Sequence, residues 1–343
     1  MISISWRTLF RSGIQVSLSV LAALASIAAL TSSGVHAQGT SEEGSYPNKP
    51  VRLIIPWPPS GSNDILGRLL AQKLSESLGQ VVLVDNRAGA GGIIGQELGA
   101  KAAPNGYTLT LVTSGTMAIT PFVVAKPGYD PQTSYELVTL FAIVPYMMVA
   151  HPSVQARDAR EFIVYARSRP DSINMASTGT GSINHLAGEL FNMLAGTRMV
   201  HVPYKGGGPA VADLIAGHVQ VYFTSVASMM PFIKSGKLRA LGVGTLKRAG
   251  ELPEVATLDE QGLKGYDVVS WVGIVTPAGT PSAIVRRLHA DIEKIMGAGE
   301  MRERLLTHGA EPVAIGLEDF RTYLNAELKR WGPLVKQVGI KSE

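Results

Sequence analysis

One pattern recurs along this chain and limits what it can fold into: a short β-branched run, a loop rich in Gly, Ser, Thr or Pro, then an amphipathic helix. Val51-Arg52-Leu53-Ile54-Ile55 runs into Pro56-Trp57-Pro58-Pro59-Ser60-Gly61-Ser62-Asn63, and a helix is expected from about Asp64. Ile65, Leu66, Leu69, Leu70, Leu74 and Leu78 hold the spacing of one helical face, and Gly79 is placed to end it in the left-handed conformation. Residues 81–84 read as a second strand, followed by Arg87-Ala88-Gly89-Ala90-Gly91-Gly92 and another helix. Residues 108–112 read as a third, opening onto Thr113-Ser114-Gly115-Thr116. Such alternation calls for a mostly parallel sheet with helices on both faces.

The pattern then starts again. An apolar strand over 144–150 is broken by His151-Pro152, and Asn174-Met175-Ala176 leads to Ser177-Thr178-Gly179-Thr180-Gly181-Ser182. The next helix puts Ile183, Leu186, Ala187, Leu190, Phe191 and Leu194 on one face and stops at Gly196. Val200-His201-Val202-Pro203 leads to Tyr204-Lys205-Gly206-Gly207-Gly208, with Pro209 suited to a first helical position. A strand over 219–223 ends at Thr224, and 238–243 reads as a strand returning from this second block. Residues 268–343 add one strand and three helices but no new Gly-rich loop. The expected fold class is therefore α/β in two lobes, residues 46–145 with 246–343 forming one and 146–245 the other, joined by two chain crossings.

Ahead of the first strand lies a different kind of segment. Arg7 and Arg11 precede a charge-free, Ala/Leu-rich stretch over 14–30, and Val35-His36-Ala37 puts small residues at the −3 and −1 positions of a signal peptidase site. Gln15, Ser17, Ser19 and Ser26 interrupt the stretch, which argues against a permanent membrane anchor. Residues 1–37 are expected to be a signal peptide, with cleavage near Ala37 and export to the periplasm. Lys and Arg together number 31 against 27 Asp and Glu, a balance too even to support nucleic-acid binding on charge. The chain has no cysteine, which excludes disulfides, thiol nucleophiles and cysteine metal sites.

A helix N-terminus offers unpaired N–H donors and partial positive charge, so it suits a carboxylate or phosphate. Such starts recur near Asn63, Gly91, Ser182 and Pro209, each following a strand, and in open α/β sheets ligands bind at those strand ends. Lys205, beside Gly206, can pair with an anion. His185, one turn after Ser182 and off the apolar face, is placed either to touch a ligand or to serve the helix start. Enzyme motifs fail: Gly89-Ala90-Gly91 has Ile94 where a dinucleotide loop needs its third glycine, and there is no P-loop or Gly-x-Ser-x-Gly elbow. The seven histidines form no metal-binding spacing, and no cofactor is expected.

Several longer stretches are recognisable. Tyr46-Pro47-Asn48-Lys49-Pro50-Val51-Arg52 with Pro56-Trp57-Pro58-Pro59-Ser60-Gly61-Ser62-Asn63-Asp64, Asn86-Arg87-Ala88-Gly89-Ala90-Gly91-Gly92 and Ala103-Pro104-Asn105-Gly106-Tyr107 are three of them. Gly181-Ser182-Ile183-Asn184-His185-Leu186-Ala187-Gly188-Glu189 and His201-Val202-Pro203-Tyr204-Lys205-Gly206 follow, then Ile233-Lys234-Ser235-Gly236-Lys237 and Pro277-Ala278-Gly279-Thr280-Pro281. In order and extent the chain resembles the substrate-binding receptors of tripartite tricarboxylate transporters, the Bug family. That resemblance implies a periplasmic Venus flytrap that is not an enzyme, closes on a small organic acid and hands it to a two-component membrane permease. It implies ligand contacts at Pro59, Ser60, Gly61, Ser62, Asn63, Asp64, Thr113, Ser114 and Thr116 in one lobe. In the other it implies Ser177, Thr178, Gly179, Gly181, Ser182, His185, Tyr204, Lys205 and Gly206.

Two departures from the family pattern bear on the ligand. Ser60 and Ser62 stand in a loop that is often glycine in these receptors. Thr224 stands where many carry an Asp that faces an amino-acid ligand's ammonium. With no charge at Thr224, a carboxylate lacking an amine is the expected ligand. A monomer is expected. Two other classes remain open: a sensor that presents its closed form to a membrane sensor kinase, and a secreted hydrolase using His185 with a nearby serine.

Overall fold

The computed structural model describes residues 46–340, and the expected signal peptide lies outside them. In chain order the strands and helices begin with β1 (Val51–Ile55), α1 (Ser62–Leu78), β2 (Val82–Asn86), α2 (Ile93–Ala100) and β3 (Thr108–Thr113). A π-helical turn over Gly115–Ile119 leads into α3 (Thr120–Val123), then β4 (Tyr135–Ala150) and α4 (Ala159–Arg167). The second block holds β5 (Asn174–Ser177), α5 (Ile183–Ala195), β6 (Val200–Pro203), α6 (Gly207–Ala216), β7 (Val221–Ser225), α7 (Val226–Lys234) and β8 (Arg239–Val243). The chain closes with β9 (Val269–Pro277), α8 (Ser282–Gly297), α9 (Gly299–Thr307), β10 (Glu311–Ile315) and α10 (Leu317–Val338).

The strands are ordered β2-β1-β3-β9-β4-β7-β5-β6, with β8 and β10 both pairing β4. Two trios are parallel, β2-β1-β3 and β7-β5-β6, as the β–loop–α pattern requires. Between them β9 and β4 run antiparallel to their neighbours, so the sheet is mixed rather than parallel throughout. β4 and β9 are the strands through which the chain passes from one trio to the other. β4 makes the point by its length. Its Tyr135–Pro145 stretch pairs β9, and Tyr146–Ala150 pairs β7. Proline has no N–H for a ladder, and Pro145 sits where β4 changes partners.

The apolar face of α1 packs as its spacing dictates. Leu66, Leu69, Leu70, Leu74 and Leu78 are buried, each contributing about 1.5–3 kcal/mol of transfer free energy. Gly79 ends the helix at φ 66°. These side chains join Val51, Leu53 and Ile55 of β1 and Leu288 and Ile292 of α8 in one core cluster. A second cluster joins Met147 and Val149 of β4 to Leu214 of α6 and Val226 of α7. A third runs across the molecule, from Val112 and Ile119 to Leu186 and Phe191 of α5 and Trp331 of α10.

Several boundaries differ from the sequence reading. The expected strand over 144–150 begins at Tyr135, and α6 begins at Gly207, two residues before Pro209. After residue 268 there are two strands, not one, the second being β10 on the Leu140–Ile143 part of β4.

Candidate functional site

The carboxyl ends of both parallel trios carry the Gly- and Ser-rich loops, and each loop is shaped by side chains that turn inward. After β1, Pro59, Ser60, Gly61 and Ser62 are exposed and Asn63 is half-buried, whereas Asp64 is 2% exposed. Asp64 Oδ2 accepts from the Ser60 N–H and from Arg68 Nε, both at 2.9 Å, while Oδ1 accepts from Asn86 Nδ2 at 2.8 Å. Burial alone would raise this carboxyl. The Arg68 guanidinium, the Asn86 amide and the Ser60 N–H outweigh it and hold the group below the ordinary Asp range. Asp64 thus faces protein donors and fixes the loop that precedes it. Ser60 pays for that anchor with a φ of 68°. Gly61 is the N-cap of α1 and supplies no side-chain cap, so the helix start keeps its donors for something else.

At the end of β3, Thr113, Ser114 and Thr116 are all buried. Thr116 Oγ1 accepts from the Thr113 N–H at 3.1 Å and from Gln96 Nε2 at 3.3 Å, and donates to Thr113 O at 3.2 Å. The Gln96 side-chain amide in turn donates to Leu111 O at 2.9 Å, and the Gln96 backbone carbonyl accepts from Tyr135 Oη at 2.7 Å. Ser114 Oγ lies 3.4 Å from Ser270 Oγ of β9. A Cβ on Gly92 would stand 3.1 Å from Thr116 Cγ2 and 3.4 Å from Trp57 Cζ2. The loops after β1, β2 and β3 therefore meet.

The second trio builds a matching cluster. Ser182 caps α5 through its Oγ, which accepts the His185 N–H at 3.3 Å. His185, 5% exposed, accepts the Gly181 N–H on Nδ1 at 3.2 Å. That bond leaves its ring hydrogen on Nε2, 3.6 Å from Glu189 Oε1. Thr178 Oγ1 donates to Asn184 Oδ1 at 2.8 Å, and Asn184 Nδ2 donates to Phe223 O at 2.7 Å, tying the loop to the end of β7 beside buried Thr224. The Tyr204 N–H donates to Ser177 O at 3.0 Å, and a Cβ on Gly179 would stand 3.6 Å from Tyr204 O. The Tyr204 hydroxyl points elsewhere, donating to Asp213 Oδ2 at 2.6 Å. Burial, and then that carboxylate, push it up to about 12. Lys205 is exposed, and Gly206 starts α6 without a side-chain cap.

The second cluster reaches the helix that follows the first. A Cβ on Gly181 would fall 2.8 Å from Val123 Cγ1 at the end of α3, which sets the segment 177–182 against the chain that follows Thr113–Thr116. The structure thus gathers the expected positions into two loop clusters, but turns the side chains of Asp64, Thr113, Thr116, Ser177, Thr178, Ser182, His185 and Tyr204 toward protein partners. The sequence reading missed Asn86, Gln96 and Asn184 as the residues that shape these loops, and it missed His201. His201 Nε2 lies 2.6 Å from Ser177 Oγ, and its ring stacks on His185. A serine and a histidine at that distance have the spacing of a nucleophile and its base. Here Ser177 is fully buried, its Oγ also accepts the Gly179 N–H at 3.1 Å, and no carboxylate among the described residues bonds His201. Among the described residues no cluster of three or more His, Asp or Glu could hold a metal ion, and no helix is long and apolar enough to cross a membrane.

Comparison with known proteins follows the same lines. The model of the tripartite tricarboxylate transporter family receptor matches residues 66–340. Protein BugT of Bordetella pertussis is 34% identical over 297 residues, which cover 86% of this chain and 91% of BugT. The structure of the periplasmic binding protein BugD is 32% identical, with a TM-score of 0.75 over 87% of this chain and 100% of BugD. The R. palustris protein Rpa4515, solved with adipate, is 34% identical, with a TM-score of 0.78 over 86% of this chain and 99% of that one.

Proposed function

The chain belongs to the tripartite tricarboxylate transporter receptor family, the Bug group of solute-binding proteins, and from that premise we propose that it is a periplasmic receptor that closes on a small carboxylate lacking an amine and delivers it to a two-component membrane permease. The lobes are taken as residues 46–145 with 246–343, and residues 146–245. Burying a carboxylate without partners is costly, so a site for one must present several donors together. The uncapped starts of α1 at Gly61 and α6 at Gly206 can supply backbone N–H groups, one from each parallel trio. Exposed Lys205 adds a cation at the rim, and Ser60 and Ser62 add hydroxyls.

Donors drawn from both lobes make closure and binding one event. Only the closed state completes the set, so ligand favours that state by its differential affinity, and a permease can tell the two apart. The observation that supports this reading is the approach of Gly181 to Val123, which sets the loop after β5 against the end of α3, downstream of the loop after β3. The lack of charge at Thr224 and the adipate held by a relative support an acid without an ammonium group.

Isothermal calorimetry with succinate, malate, adipate and citrate, set beside aspartate and glutamate, tests the reading. Binding of one or more non-amino acids is expected. Binding of aspartate or glutamate alone would overturn the ligand class, and loss of uptake of the bound acid on deletion of the protein would tie it to a permease.

A further inference from the structure

The segment 177–182 is held at both ends by one pair of imidazoles. At the strand end, His201 Nε2 lies 2.6 Å from Ser177 Oγ. At the helix end, the Gly181 N–H donates to His185 Nδ1 at 3.2 Å. The two rings are 3.5 Å apart between centroids and 7° from parallel, so each fixes the plane of the other.

We propose that His201 is a positioning residue for ligand binding: stacked on His185, it fixes the Ser177 hydroxyl and through it the course of the segment 177–182. The inference rests on the receptor reading above and extends it to a β6 residue that need not touch the ligand. Ser177 is where β5 ends, and its Oγ is the hub of the turn that follows. It accepts the Gly179 N–H at 3.1 Å and stands 3.1 Å from Gly179 O. A neutral His201 takes the hydroxyl hydrogen on Nε2, which leaves the oxygen lone pairs for the Gly179 N–H. Without that acceptor the hydroxyl is free to turn onto Gly179 O, and the Gly179 peptide loses its fixed orientation.

The surroundings keep the ring in its accepting form. Burial, then the neighbouring His185, push His201 down to about 4, with Glu189 acting in the opposite direction. Glu189 is on α5, while β5 and β6 themselves carry no other ionisable side chain. The imidazole therefore stays neutral through the neutral pH range. His185 is the complementary half: already committed to Gly181 and facing Glu189, it supplies the surface against which His201 is stacked.

Affinity for the acids of the panel, succinate among them, reads the role. His201→Phe keeps a ring for the stack and removes the acceptor, and is expected to weaken binding about tenfold or more while the protein still melts cooperatively. His201→Gln, which restores an amide near the position of Nε2, is expected to recover most of that loss. Ser177→Ala is expected to weaken binding by a similar factor, and the double variant with His201→Phe to be no weaker than either single one. Should His201→Phe fail to fold, the glutamine and alanine variants carry the same comparison. Wild-type binding with an unchanged phenylalanine variant, no recovery by glutamine, or losses that simply multiply would overturn the proposal. A wild type that binds none of the acids sinks the receptor reading, and this inference with it.

Discussion

A methyl group on Gly181 would stand 2.8 Å from Val123 Cγ1, closer than carbon atoms pack, and Gly181 itself sits at φ 76°. Both facts forbid a side chain at this point of contact between the two halves. Gly181→Ala is expected to cost about 1–2 kcal/mol from the left-handed backbone alone, and to push the segment 177–182 away from α3. Ligand affinity should fall further than that stability loss explains. Adding Val123→Ala makes room without relieving the backbone, so part of the affinity should return while the lost stability does not. Urea unfolding and calorimetry on the two variants separate the terms.

His201 makes folding stability depend on pH in a definite direction. Its folded value of about 4 lies below the ordinary histidine value of 6.5. Between those limits the unfolded chain takes up a proton that the native protein refuses, so stability falls as pH drops from about 6.5 toward 4 and levels off below. Carboxylates also titrate in acid, so the useful quantity is the difference between wild type and His201→Gln. That difference should shrink in favour of the variant as pH falls from 7 to 4, measured by urea midpoints at each pH. A constant difference would show that the ring is protonated alike in both states.

How far the sequence speaks depends on where each signal lies. β1 and the body of α1 were legible because their signals are local: a short apolar, β-branched run and a buried leucine stripe need no distant partner. The first part of β4 was not. Glu136 and Thr139 break its apolar run, and a strand covered on both faces shows no period of two. β10 hides behind Pro312 and a half-buried pairing at one side of β4. At the site, the loops themselves could be read from Gly, Ser and strand-helix joints. The direction of the side chains could not, because Asp64 is aimed by Asn86, Thr116 by Gln96 and Ser177 by His201, each more than ten residues away.

Asp64 anchors the loop after β1, and the cost of losing its charge can be argued from its partners. Asp64→Asn keeps the size but exchanges a carboxylate that accepts from Ser60, Arg68 and Asn86 for an amide whose NH2 must face at least one of those donors. It also removes a negative charge from the first turn of α1, where the helix dipole favours one. A loss of about 1–3 kcal/mol is expected. The carboxyl is held below its unfolded value, so its contribution is present above the ordinary Asp range and is lost as pH falls through the lower folded value. Urea midpoints for wild type and variant should therefore converge in strong acid.

Ser182 and Lys205 occupy neighbouring loops but should respond differently to truncation. Ser182 Oγ accepts the His185 N–H at the start of α5, so Ser182→Ala is expected to cost about 1 kcal/mol of stability as well as affinity. Lys205 is exposed and forms no ion pair with the described residues. Lys205→Ala should leave melting unchanged and weaken binding of a dianion, with an effect that diminishes as salt is raised. Calorimetry at low and high ionic strength, beside thermal melts, distinguishes the two. A salt-independent loss at Lys205 would place its role in packing rather than charge.

Ser60 holds a backbone conformation that a glycine would adopt without strain. At φ 68° it is one of three described non-glycine residues with positive φ, with Ala90 and Asp171. Its N–H, not its side chain, makes the bond to Asp64, so Ser60→Gly keeps the anchor. Relief of the left-handed strain is worth about 1 kcal/mol, and the added freedom of glycine in the unfolded chain gives part of that back. Stability should therefore rise by less than about 1 kcal/mol. If the hydroxyl touches the ligand, the same variant binds more weakly while melting higher, a pairing that a purely structural serine would not produce.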